Sequence, residues 1–174
     1  MAQPETVSSR PPCHAETAPP RVLVLGLGNA ILSDDAVGLH VVRALRGRLK
    51  PDEDIAAVEV EEMGLSLLDY IVGCRDLVIV DSIQTGRVPP GCLHEIDGDD
   101  SLTRRGGSPH FLGVGDTIAC GRLLGLAMPE RIRIFAVEVD DPFTLGESLT
   151  PPVAAVLDDV TDRVLQAARS LATA

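Results

Sequence analysis

Apolar residues come in short bursts along this chain, separated by glycine, proline and charged clusters, and the rhythm within each burst identifies an element. Residues 21–26, RVLVLG, are a continuous branched apolar run closed by glycine, the pattern of a strand buried on both faces. From Asp34 or Asp35 to about Leu49 the spacing becomes helical. Val37, Val41 and Ala44 or Leu45 fall on one face, while Arg43, Arg46 and Arg48 lie outside it or near the helix end, where cations suit the dipole. IAAVEVEE (55–62) predicts a second strand, GLSLLDYIVG (64–73) a short helix closed by Gly73, and DLVIVDS (76–82) a third strand. The order is βαβαβ.

Beyond the turn cluster TGRVPPG, CLHEI (92–96) predicts a strand whose short connection from the third suggests an antiparallel edge hairpin. The polar, aperiodic stretch 97–110 predicts an exposed loop leading into a helix at about 112–124. RIRIFAVEV (131–139) predicts a further strand. The last helix opens at Thr150 with Pro151 at its first position, and Val153, Val156, Val160, Val164 and Leu171 form its buried stripe. The fold class is therefore α/β: a three-layer sandwich, with a twisted, mostly parallel mixed sheet flanked by helices on both faces.

Length and composition bound the picture. The chain has 174 residues, 45% of them apolar, which suits one domain with a single core over 21–174. Residues 1–20 are proline-rich and carry no apolar run, as expected of a flexible tail rather than a signal peptide. A formal charge of −11 argues against nucleic acid or an anionic membrane as partner. No segment approaches the roughly 18 uninterrupted apolar residues of a membrane span, so the expectation is a cytoplasmic protein. Cys13, Cys74, Cys92 and Cys120 are widely separated and form no C-x-x-C pair, which suits reduced, buried thiols better than a disulfide framework or zinc cage.

The candidate chemistry centres on VLVLGLGNAILSDDAVGLHVV (22–42), where two aspartates follow a glycine-rich turn. Gly26 and Gly28 begin like a dinucleotide fingerprint, but Ile31 stands where its third glycine belongs, and no G-x-x-x-x-G-K-[ST] loop exists. The glycines are expected to turn the backbone sharply, and Asn29 to tie the loop through nearby amides. In open α/β sheets, ligands bind beyond the carboxyl ends of strands. Asp34 and Asp35 follow the first strand, Asp81 ends the third, and His110 closes the long polar loop. Two carboxylates and one imidazole on one rim suit a borderline divalent cation, zinc or nickel, with coordination positions left open.

Simpler roles compete. Ser33 or Asp34 can be a helix N-cap, Asp35 a first-turn carboxylate, Asp81 a strand-end cap and His110 an ordinary loop residue. A calcium loop starting at Asp97 fails, because Leu102 and Ser108 occupy the positions of its glycine and its final glutamate. A Ser82, Asp81 and His110 hydrolytic triad lacks a G-x-S-x-G elbow, and Asp81 and Ser82 alternate to opposite strand faces. His40 and His94 are expected to be structural.

Taken together, LGLGNAILSDDAVG, VIVDSI (78–83), SPHFLGV (108–114) and ESLTPPVAAVLDDVTDRVL (147–165) resemble the hydrogenase maturation proteases over about residues 21–170. The resemblance implies an endopeptidase, classed as aspartyl-type, that removes a short C-terminal extension from a nickel-iron hydrogenase large-subunit precursor after nickel insertion. It implies that Asp35, Asp81 and His110 are the catalytic, nickel-recognising residues, the first position being Glu or Asp across the family. Nickel is then supplied by the substrate's metallocentre, and the protein is expected to be metal-free and monomeric alone. Two adjacent acids without a cation repel, and a divalent cation reverses that cost. Rival classes are a non-catalytic nickel carrier or docking module using the same residues, and a general metallo-aminopeptidase.

Overall fold

The computed structural model describes residues 19–98 and 109–174, with the backbone alone for 109–113. A five-stranded sheet, ordered β2-β1-β3-β5-β4, forms its centre. The strands are β1 (Val22–Leu27), β2 (Ile55–Val60), β3 (Asp76–Ile83), β4 (Leu93–Asp97) and β5 (Arg131–Glu138). β1 pairs in parallel with β2 and β3, β3 pairs in parallel with β5, and β4 lies antiparallel on the edge beside β5. The helices are α1 (Val37–Arg46), the single turn α2 (Leu68–Ile71), α3 (Pro109–Leu123) and α4 (Pro151–Thr173). Short 3-10 turns at Asp34–Ala36 and Gly64–Leu67 precede α1 and α2.

Two cores follow from strand alternation. Val22, Val24, Val78, Val80, Phe135 and Val137 face α1 and α4, whose Val41, Leu45, Val153, Val160 and Val164 close one layer. Leu23, Leu25, Leu27, Ile79, Ile134 and Ala136 face the other way, onto Leu67, Ile71, Val114 and Ile118 from the α2 and α3 side. Covered on both faces, β1 buries every residue, which is why its sequence is an unbroken apolar run. The three-layer α/β sandwich is as the sequence predicts. So is the entry to α4, where Thr150 is the N-cap and Pro151 opens the helix.

β4 corrects the expected hairpin: it is an antiparallel edge strand, but its partner is β5, not β3. β5 is buried on both faces from Ile134 to Glu138 and takes the interior slot, while β4, with its exposed Glu95 and Asp97, suits the edge. Residues 84–92 are enough chain to cross the ~10 Å of two strand spacings. The expected tail (1–20) and polar loop (97–110) fall mostly at 1–18 and 99–108, outside the described residues. Among the described residues, no helix is long and apolar enough to cross a membrane.

Close helix-to-sheet packing sets the position of α1. A Cβ on Gly26 of β1 would lie 2.2 Å from the Gly38 carbonyl oxygen, and one on Gly38 would lie 2.3 Å from that of Leu27 and 2.4 Å from that of Val80. The paired glycines bring the first turn of α1 directly onto the ends of β1 and β3.

Candidate functional site

β3 pairs with β1 only as far as Val80, opposite Gly26, but continues beside β5 to Ile83, opposite Glu138. Ser82 and Ile83 therefore extend past the end of β1, and Asp81 lies level with its last residue, Leu27. The chain leaves β1 toward β2 on one side, whereas β3 lies toward β5 and β4 on the other. The gap between β1 and β3 is thus a topological switch point, where α/β sheets of this kind bind ligands.

The loop after β1 folds into that gap. Asn29 accepts a hydrogen bond from the Ile31 amide at Oδ1 (3.1 Å) and another from the Leu32 amide at its carbonyl (3.0 Å), as expected of a loop tied by asparagine. Gly28, at φ +150°, lets the Asp35 carbonyl approach so closely that a Cβ would sit 2.2 Å from its oxygen. Asp35 is thereby delivered to the carboxyl end of β3, where the Ser82 hydroxyl donates to its Oδ1 at 2.9 Å. Asp81, on the other side of the same strand end, accepts the Ser82 amide at Oδ1 (2.8 Å). Since Ile79 and Ile83 belong to the core beneath α2 and α3, alternation directs Asp81 toward that side.

His110 is the second residue of α3, and its side chain lies outside the described residues. The topology nevertheless fixes which rim carries it. α3 leads into parallel strand β5, so it runs opposite to the strands and begins at their carboxyl ends. Consistently, Thr117 of α3 donates to the carbonyl of Gly64, just beyond the end of β2 (2.9 Å). The backbone of His110 therefore shares a rim with Asp35 and Asp81.

The local capping roles expected of Ser33 or Asp34 are corrected. Asp34 is not a local helix cap: its Oδ1 accepts the Thr150 amide and its Oδ2 the Thr150 hydroxyl, both at 2.7 Å, so it braces the start of α4. Ser33 does not cap locally either, since its hydroxyl donates to the Ser148 carbonyl (2.6 Å). Moreover, Asp35 and Asp81 are not solvent-accessible in the way a surface rim suggests, being 7% and 0% exposed. The 3-10 turn above and the neighbouring strands enclose them, so changing them touches the packed interior as well as any ligand.

Glu138, at the end of β5, is a buried carboxylate that pattern reading passes over. It accepts from the amides of Thr85 (2.7 Å) and Gly86 (2.8 Å) and from the Thr85 hydroxyl (2.8 Å to Oε2), and lies 2.9 Å from His94 Nε2. Burial alone would raise its pKa, but these hydrogen bonds outweigh it and hold the carboxyl below its ordinary value. The signal in the sequence is a lone glutamate inside the apolar run FAVEV, since a buried charge demands partners. His94 is structural in this sense. His40 is half-buried, and burial, reinforced by the Arg43 charge, lowers its pKa.

The acids at the β1/β3 switch point of this doubly wound α/β domain stand at the carboxyl rim of the sheet, where domains of this class bind their ligands. Residues 39–167 match the HycI hydrogenase maturation protease family, and the chain belongs to that family. The matched span includes Asp81 and His110 and begins just after Asp35. The hydrogenase 2 maturation protease of Escherichia coli K12 is 29% identical over 86% of this chain and 91% of its own length. The hydrogenase expression/formation protein HupD of Bradyrhizobium diazoefficiens is 30% identical over 76% and 70%. The solved hydrogenase maturating endopeptidase HybD of E. coli superposes with a TM-score of 0.72 at 29% identity, covering 86% of this chain and 93% of that one. The protein is accordingly a peptidase, which sets aside the non-catalytic carrier as its class.

Proposed function

We propose that the protein removes the C-terminal extension of a nickel-iron hydrogenase large-subunit precursor after nickel insertion, with Asp35, Asp81 and His110 meeting the nickel carried by that substrate. The observation that carries this reading is the Ser82–Asp35 hydrogen bond, which joins the acid of the β1 loop to the strand end bearing Asp81. Two carboxylates are hard oxygen donors, and an imidazole adds a borderline nitrogen. That set suits nickel while leaving positions for the substrate's own ligands. A cation there stabilises both charged carboxylates and can polarise a scissile carbonyl or activate a water for attack. Because the cation arrives with the substrate, cleavage becomes conditional on completed metal insertion.

The rim also suits a polypeptide. Ile31, Phe143 and Leu145, on the loops after β1 and β5, are 61%, 71% and 74% exposed, and the two loops are joined by a bridge between Leu32 and Leu145. Exposed apolar side chains beside a candidate site are what a bound chain would cover.

The test is incubation of the purified protein with nickel-loaded and nickel-free precursor, read by precursor mass. The expected result is C-terminal shortening of the loaded form alone, lost in Asp35→Asn, Asp81→Asn and His110→Gln variants that remain folded. Normal processing by these variants overturns the site assignment. Equal cleavage of nickel-free precursor overturns nickel recognition, and release of N-terminal residues from unrelated peptides would instead indicate an aminopeptidase.

A further inference from the structure

We propose that Ser82 is a positioning residue for this reaction, its hydroxyl holding Oδ1 of Asp35 so that the carboxylate meets the substrate's nickel through Oδ2. The inference rests on the assignment of Asp35 as a nickel-facing residue and goes beyond it.

Asp35 has a short side chain, so its reach is set by the backbone that carries it. That backbone is held on several sides. The Gly28 contact presses on the Asp35 carbonyl, the Asp34 clasp ties the 3-10 turn to Thr150, and the Ser33 amide donates to the Thr144 carbonyl (3.0 Å). What these contacts leave undetermined is rotation of the carboxylate about its last bond, a torsion with a broad, roughly two-fold profile. The Ser82 hydroxyl removes that freedom.

Ser82 is only 4% exposed and is itself fixed, because β3 is locked to β5 on either side of it, with Ser82 opposite Val137. Its 2.9 Å bond therefore acts between two rigid supports and distinguishes the two carboxylate oxygens. Among the described residues, Oδ2 of Asp35 has no hydrogen-bond partner. One oxygen is committed to the protein and the other is available to a ligand, as with metal-ligating carboxylates that are oriented by a second hydrogen bond. The same serine offers its backbone amide to Asp81 Oδ1, so one residue contacts both acids. The part assigned to Ser82 is to aim Asp35.

Loss of such an orienting partner typically weakens metal affinity or activity about 10- to 100-fold. Ser82→Ala is expected to lower kcat/KM for nickel-loaded precursor by about tenfold, and to weaken binding of free Ni2+ to the folded protein, read by calorimetry, by a similar factor. Ser82→Thr, which keeps the hydroxyl, is expected to restore both. Ser82→Cys, nearly isosteric but a weak donor, is expected to behave like Ser82→Ala, which keeps the test informative if threonine does not fit. Should Ser82→Ala and Ser82→Cys match the unaltered protein in both readouts while Asp35→Asn is inactive, the positioning role falls and the Asp35 assignment stands. A lowered unfolding temperature with kinetics and Ni2+ affinity unchanged at permissive temperature also overturns it. If Asp35→Asn processes normally, the assignment beneath it fails.

Discussion

The Asp34 carboxylate grips Thr150 with both oxygens, accepting its amide and its hydroxyl at 2.7 Å across 116 residues of sequence. One acid thereby fastens the 3-10 turn that presents Asp35 to the N-terminus of α4, where the helix dipole also favours negative charge. Asp34→Ala leaves two part-buried donors of Thr150 without their acceptor, each costing up to about 1–3 kcal/mol. A clear fall in urea midpoint and unfolding temperature is expected, and processing below the new transition is expected to fall far less than for Asp35→Asn.

Gly38 lies against the backbone of both β1 and β3. A methyl group there has no side-chain tip to displace, only carbonyl oxygens at 2.3 and 2.4 Å. Gly38→Ala must push α1 off the sheet, at a cost of roughly 1–3 kcal/mol or more. The displaced helix carries the Asp35 turn with it, so thermal unfolding and precursor cleavage are expected to fall together, unlike the pattern for Asp34→Ala.

Glu138 links stability to pH. Its folded carboxyl titrates below the ordinary value of 4.5 because the hydrogen bonds from Thr85, Gly86 and His94 outweigh the opposing effect of burial. The stabilisation is therefore complete above pH 4.5 and is lost as pH falls through the lower folded value, since the unfolded chain takes up its proton first. Urea unfolding over an acid pH series is expected to show a shallower loss for Glu138→Gln than for the unaltered protein, with the variant less stable near neutrality.

Leu145 is 74% exposed on the loop bridged to the β1 loop. If the precursor crosses this rim, Leu145→Asp removes apolar contact and adds a charge at its path. Partial burial of one leucine is worth about 1 kcal/mol, so KM for the precursor is expected to rise by roughly fivefold. The unfolding temperature is expected to stay within the change that about 0.5 kcal/mol produces, as for other surface substitutions.

Much of this molecule is written locally. The run VLVLGL can only be a strand covered on both faces, because no alternation leaves a wet side. Thr150 followed by Pro151 marks the start of α4, because a proline at the first helical position sacrifices an amide that has no partner anyway. The rim location of Asp35 and Asp81 was equally legible, since it follows from their places after β1 and at the end of β3. That His110 begins α3 rather than closing a loop is a shift of a few residues, and helix ends are the least determined part of any periodic pattern.

What tertiary structure alone decided are the partners. The connection from β3 to β4 is compatible with a hairpin, and only competition for the interior slot gives that place to the more apolar β5. Asp34 has every local mark of an N-cap, yet its hydrogen bonds go to Thr150 at the N-terminus of α4, 116 residues away in sequence. Ser82 reaches Asp35 across 47 residues, and Glu138 reaches Thr85 across 53. Local pattern reports which side chains must be buried, for burial depends on the periodicity of one segment. It cannot report which buried polar group meets which, because that depends on the register and crossing of segments brought together only when the sheet closes over its two cores.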